Sequence, residues 1–136
     1  MGKSKINVDE LADAVIAQLK EFKGLTRTIV NNAVQETAKA TVSEIREAAR
    51  SKFGGTGGYA ESWKMGKQKT DKGRYSTFVY ASGGFYRLTH LLEDGHALVK
   101  GGRKIGEVKG REHIETAEKN AIDMLERLIK EGIERG

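Results

Sequence analysis

The chain contains no cysteine and no proline, a single tryptophan, and no apolar run of bilayer-spanning length. Each absence excludes something. Without cysteine there is no disulfide, no thiol nucleophile and no thiolate metal ligand. Without proline, turns fall to glycine and to small polar residues, and glycine fills 17 of the 136 positions. A membrane-spanning helix needs about 20 predominantly apolar residues, and no such stretch is present. The basic start, Met1 to Lys5, is not followed by the apolar core of a secretory signal.

What is present is charge, unevenly placed. Residues 1–50 carry 8 basic and 7 acidic groups, residues 51–111 carry 12 and 5, and residues 112–136 carry 4 and 7. The middle is therefore strongly cationic and the C-terminal segment anionic. Such an asymmetry steers a chain toward polyanions or toward acidic protein surfaces, including the acidic end of another copy. A length of 136 residues fits one domain, divided by pattern into a helical part (1–51), a middle of hairpins with a short helix (59–111) and a C-terminal helix (112–136).

Asn7 to Glu10 reads as a capping box opening a first helix. Val8, Leu11, Ala12, Val15, Ile16, Leu19 and Phe22 recur behind it at three- and four-residue spacing. Gly24 permits a break. A second helix runs from about Leu25 to Ser51, with Val30, Val34, Ala38, Val42, Ile45 and Ala49 as a shallow stripe. That stripe suits close packing against another helix or a neighbouring subunit. Gly54 to Gly58 reads as a flexible linker. Tyr59 to Lys69 and Arg74 to Ser82, joined by Asp71-Lys72-Gly73, predict a β-hairpin, with Trp63 and Met65 on one face of its first strand. Phe85, Leu88, Leu91 and Leu92 define one side of a short helix over 85–94, which Gly95 would end in the left-handed conformation. Val99 to Gly110 is a basic, glycine-punctuated excursion, read as a loop or a second short hairpin. Glycine content predicts that 52–58 and 100–110 are ordered only on assembly. Ile114, Ala117, Ala121, Met124, Leu125, Leu128 and Ile129 mark the last helix, with Glu112, Glu115 and Glu118 around its first turn.

Three histidines and two carboxylates (His90, His96, His113, Glu93, Asp94) invite a metal reading. Ligands on one helix face stand three or four apart, whereas His90 and His96 are six apart and divided by Gly95. The residues Tyr86, His90, Gly95 and His96 are read instead as a structural corner at a helix end, with no metal, cofactor or catalytic residue assigned. No nucleophile elbow occurs, and Gly101 to Gly106 lacks the Gly-Lys-Ser/Thr ending of a phosphate loop. The cationic groups divide between the first hairpin (Lys64, Lys67, Lys69, Lys72, Arg74) and the second segment (Lys100, Arg103, Lys104, Lys109, Arg111). Beside Trp63, Tyr75 and Tyr80 they are compatible with a single-strand nucleic-acid face, where bases stack on aromatics. They are read in preference as solvated charges over an aromatic core, since no recognised RNA- or DNA-binding motif is present.

The run Tyr86-Arg87-Leu88-Thr89-His90-Leu91-Leu92-Glu93-Asp94-Gly95-His96-Ala97, then Gly101-Gly102-Arg103 and Gly110-Arg111-Glu112-His113-Ile114, resembles a family of small neck and tail-component proteins of tailed bacteriophages and prophages. Tyr59-Ala60-Glu61-Ser62-Trp63 adds a similar aromatic segment, so the resemblance covers about residues 59–120. The N-terminal helices match only in character, and Thr116 stands where relatives commonly carry proline. The resemblance implies a virion subunit that assembles with itself into a ring, a hexamer at first guess. Its implied neighbours are head-completion and tail-tube proteins, with DNA passing through the lumen. It supplies no catalytic residues. Lys67, Lys72, Arg74, Arg103, Lys104 and Arg111 become candidate assembly contacts on this view. The expected fold is α+β: N-terminal helices, an antiparallel sheet of hairpins with a short inserted helix, and a C-terminal helix packed on the sheet.

Overall fold

Asn7 Oδ1 accepts the backbone N–H of Glu10 at 3.1 Å, and this cap starts helix α1 (Val8–Leu19). A computed structural model describes the chain over residues 5–19, 24–53, 57–69 and 75–135. Just before the cap, Lys5–Asn7 forms a short strand, β1. After α1, Gly24 takes a positive φ of 91°. Thr26 Oγ1 then accepts the N–H of Ile29 at 3.2 Å and opens the long helix α2 (Arg27–Phe53). A one-turn helix α3 (Gly58–Ser62) leads into β2 (Trp63–Lys69), which pairs antiparallel with β3 (Tyr75–Ala81). A 3-10 helix (Gly83–Leu88), α4 (Thr89–Asp94), strands β4 (Gly95–Lys100) and β5 (Arg103–Lys109), and helix α5 (Ile114–Arg135) complete the chain.

The main sheet has the order β1-β3-β2, all antiparallel. Val79 lies opposite Ile6 on one side and Met65 on the other. Where β1 ends, Asp9 of α1 takes over and accepts the backbone N–H of Thr77. On the far edge, Arg46 of α2 donates from Nε to the Trp63 carbonyl at 2.9 Å. Alternation along the strands buries Ile6, Trp63, Thr77, Val79 and Ala81. Helices α1 and α2 pack on the sheet, while α5 lies chiefly along α2 and α1 and reaches the sheet at β1. The mixed architecture is the α+β fold expected from the sequence.

The shallow stripe on α2 is consumed inside the subunit. Ala33, Val34, Ala38, Ile45 and Ala49 are buried together with Ala117, Ala121, Leu125 and Ile129 of α5. Small residues on both helices allow close approach, and a methyl at Gly132 would come within 2.6 Å of Ile29 Cγ2. No helix among the described residues is long and apolar enough to cross a membrane.

Three expectations need correction. The first strand of the hairpin does not begin at Tyr59: residues 58–62 are helical and the strand starts at Trp63. Gly57, at φ 84°, turns the chain there, and Ser62 Oγ closes the turn by donating to the Tyr59 carbonyl at 2.5 Å. The helix placed at 85–94 is a 3-10 turn followed by α4, and Phe85 and Leu88 of the expected stripe are not on its buried side. Phe85 and Leu88 are 38% and 41% exposed, whereas Thr89 and Glu93 are buried. The reason is that Glu93 has partners inside the subunit. Finally, the second hairpin, expected from Val99, is present but begins at Gly95: β4 and β5 pair from Gly95 to Lys109, turned by Gly101 and Gly102 with φ of 59° and 76°. Two successive positive φ values suit a tight two-residue hairpin turn, which glycine adopts without strain.

Candidate functional site

The last helix has no local N-cap. The residues before Ile114 are Gly110, Arg111, Glu112 and His113, none with the short acceptor side chain that usually caps. Glu93 of α4 supplies the cap from a distance. Its Oε1 accepts the backbone N–H groups of His113 at 2.6 Å and Ile114 at 2.8 Å, and Oε2 accepts that of Glu115 at 2.8 Å. The carboxylate thus satisfies three donors at the positive end of the helix dipole. Burial alone would push the Glu93 carboxyl up. The three N–H groups and the His113 ring outweigh it and hold the group below the ordinary glutamate value.

His113 continues the network. Its Nδ1 lies 3.0 Å from the Arg111 carbonyl and 2.8 Å from Glu93 Oε1. Both are acceptors, so Nδ1 carries the proton. Nε2 is then free to accept the Tyr59 hydroxyl at 2.6 Å. Burial lowers the His113 pKa against the opposing pull of the Arg111 carbonyl and Glu93, and the ring is neutral. Burial likewise pushes the Tyr59 phenol up to about 12, with Glu93 adding to the rise and the Trp63 N–H opposing it. Phe53 and Trp63 stand edge-on to His113 at 5.0 and 6.3 Å between ring centroids. A carboxylate, an imidazole and a hydroxyl are therefore in line. The phenol is held protonated, and the three groups tie α3, α4 and the start of α5 together.

The same corner anchors the second hairpin. Arg111 N–H donates to the Leu92 carbonyl at 2.9 Å. Gly95 takes a φ of 83°, and a methyl at Gly110 would lie 2.2 Å from the Asp94 carbonyl carbon and 2.4 Å from the Gly95 nitrogen. Glycine is required at 110 because two backbones cross there. Arg111 also donates from its guanidinium to the Lys52 carbonyl at 2.7 Å, while Lys52 Nζ donates to the Glu112 carbonyl. This reciprocal clamp ties the end of α2 to the start of α5. From that base β4 and β5 extend as a separate two-stranded sheet whose chief neighbour among the described residues is α4.

The candidate assembly cations fall in different places. Arg103 and Lys104 lie exposed at the start of β5, with Lys104 paired to Glu107. Lys67 is exposed on β2 and lines a cleft of about 630 Å³ with Asp9, Asp13, Arg27 and Gln35. Arg111 is exposed but engaged within the subunit. Lys72 and Arg74 lie outside the described residues. Of the corner residues, Gly95 is at the hinge of the second hairpin. Tyr86, His90 and His96 lie in the 3-10 helix, α4 and β4, and their side chains fall outside the described set. Among the described residues no group of three or more His, Asp or Glu gathers for a metal. Sequence reasoning missed Glu93 as a cap and Tyr59 as a partner of His113. The absent local cap before Ile114 was the available signal.

A comparison with protein families matches residues 13–95 to the HK97-gp10-like family, described as "Bacteriophage HK97-gp10, putative tail-component". The matched span takes in α2 and most of α1, and it ends at Gly95, short of Gly101-Gly102-Arg103 and Gly110 to Ile114. No curated protein and no solved structure matches the chain. With more than half of its length matched, the chain belongs to the HK97-gp10-like family of bacteriophage tail components.

Proposed function

We propose that the protein is a ring-forming subunit of a phage neck or tail terminator, placed at the head–tail junction around the channel through which DNA leaves the capsid. Its role on this reading is structural, not enzymatic. Head-completion and tail-tube proteins are its neighbours, and a hexamer is the first ring order to test. The observation that carries the proposal is the β4–β5 hairpin, an element that extends from the corner instead of joining the main sheet. An isolated two-stranded ribbon is marginally stable in water, so a subunit that holds one out is built to cover it with something else. Membership of a tail-component family supplies the setting. The mass of the purified protein in solution, with negative-stain images, tests the reading. Closed rings with a central hole are expected, and a monomer at every concentration overturns it.

A nucleic-acid-binding module is the second reading, favoured by one observation. Tyr80, 36% exposed on β3, is the register partner of the exposed Lys64 on β2, which sets an aromatic ring beside a cation. Trp63, the strongest stacking residue by type, is fully buried and takes no part. A steep fall of DNA affinity with salt in the free subunit would favour this reading.

A further inference from the structure

We propose that the β4–β5 hairpin is an intersubunit arm whose partner is a second copy of this chain, laid across the outer, carboxylate-bearing face of that copy's α5. The inference rests on the ring reading and names a contact within it. Residues 95–111 carry five basic groups (Lys100, Arg103, Lys104, Lys109 and Arg111) against the single acid Glu107. Phe85 and Leu88, in the 3-10 helix that precedes α4, are two of the three most exposed large apolar side chains described. The hairpin is therefore strongly cationic, and the segment that leads into α4 is incompletely covered.

Charge selects the receiving surface. The outer edge of the main sheet is β2, which bears Lys64, Lys67 and Lys69 and repels a cationic arm. Helix α5 has the opposite character. Its Glu115, Glu126 and Glu131 are paired with Lys119, Lys130, Arg127 and Arg135. Asp123 and Glu134 are exposed and have no cation partner among the described residues. Both border one shallow depression of about 330 Å³ on the outside of the helix. At a rise of 1.5 Å per residue, Asp123 and Glu134 stand roughly 16 Å apart along one face. Strands of the arm's length span roughly 20 Å, enough to meet both.

Phosphate is the other partner a cationic ribbon could take. Two features favour protein. The strand that carries Arg103 and Lys104 also carries Glu107, an acid that a phosphate backbone repels. The strands also contain Ala97, Leu98, Val99, Ile105 and Val108, which a protein surface can bury and a phosphate backbone cannot.

The absence of native cysteine makes a direct test available. Arg103→Cys and Asp123→Cys are prepared as separate single-thiol proteins, mixed at the assembling concentration and mildly oxidised. A disulfide-linked dimer in the mixture, well above the yield of either protein alone, is expected. In parallel, R103E/K104E and D123K/E134K should each reduce the assembled mass, and the four changes together should restore it. All four positions are exposed, and the thiol pair keeps the test valid if a charge reversal disturbs folding. If wild type assembles while the cross-link is absent and both reversals keep the wild-type mass, the arm contact is wrong and the ring reading stands. A wild type that never assembles overturns both. A tenfold loss of duplex-DNA affinity in R103E/K104E with an unchanged assembled mass makes the arm a phosphate binder and also overturns the proposal.

Discussion

Glu93 and His113 meet in the interior of the subunit, with carboxylate Oε1 2.8 Å from imidazole Nδ1 and 2.6 Å from the same residue's backbone nitrogen. One side chain of α4 thus orients the ring and caps α5. Replacing Glu93 with alanine strands buried N–H donors at a helix end and removes the ring's anionic partner. Hydrogen bonds to charged groups contribute about 1.5–3 kcal/mol and caps about 1 kcal/mol, so a loss of roughly 3 kcal/mol is expected for E93A. E93Q keeps an acceptor and should lose about half as much. Urea denaturation midpoints decide it: an E93A protein as stable as wild type would show that the cap is idle.

Acid should destabilise the protein in two steps. The depressed His113 pKa means that the unfolded chain takes up its proton first as pH falls below 6.5. This contribution is complete above 6.5 and is lost as pH falls toward the folded value. Glu93, also depressed, contributes fully above its ordinary value of 4.5 and loses that contribution at lower pH. Stability should therefore decline below about pH 6.5 and fall further below about 4.5. In H113Q the upper step should vanish while the lower one remains. Denaturation midpoints measured across this range test the assignment, and an H113Q curve parallel to wild type at every pH would refute it.

The helices were legible from local chemistry. Asn7 caps α1 as its spacing with Glu10 implies, and the apolar periods of α2 and α5 match their buried faces. What the sequence hid were tertiary relations between distant residues. Glu93 serves an N-terminus about twenty positions away in the chain, and Tyr59 reaches His113 across 54 positions. Apolar spacing pointed to Phe85 and Leu88 as the inner side of the short helix. The demand of α5 for a cap instead turned Glu93 inward, and no periodicity can register such a demand. β1 was missed because three residues carry no period. The second hairpin was legible from its glycines, which make the turn at 101–102, but its start at Gly95 was not, because that glycine read only as the stop of the preceding helix.

Backbone crossing at the corner makes Gly110, just after the second hairpin, hard to replace. A methyl there would overlap Asp94 and Gly95 main-chain atoms, which have no rotamer by which to move away. G110A should cost about 2–3 kcal/mol, in the range of overpacked cores, and should displace the hairpin from α4. Gly84 is the control: it has nothing within 4 Å of the added methyl, so G84A should stay within about 0.5 kcal/mol of wild type. Equal denaturation midpoints for G110A and G84A would contradict the close approach.

Tyr59 offers a spectroscopic reading of the same corner. Its phenol is pushed up to about 12 by burial, so the folded state keeps a proton that the unfolded chain releases near the ordinary value of 10. The associated stability is complete below 10 and is lost as pH rises toward 12. Subtracting the alkaline absorbance titration of Y59F from that of wild type should isolate one phenolate that forms late, at the pH where the protein opens. The Y59F protein itself loses one hydrogen bond to Nε2 of His113 and should be about 1 kcal/mol less stable at neutral pH. Its assembled mass should be unchanged, since the hydroxyl is spent inside the subunit. A difference titration centred near 10 in the folded protein would mean that the Tyr59 hydroxyl is in water and that its bond to His113 does not form.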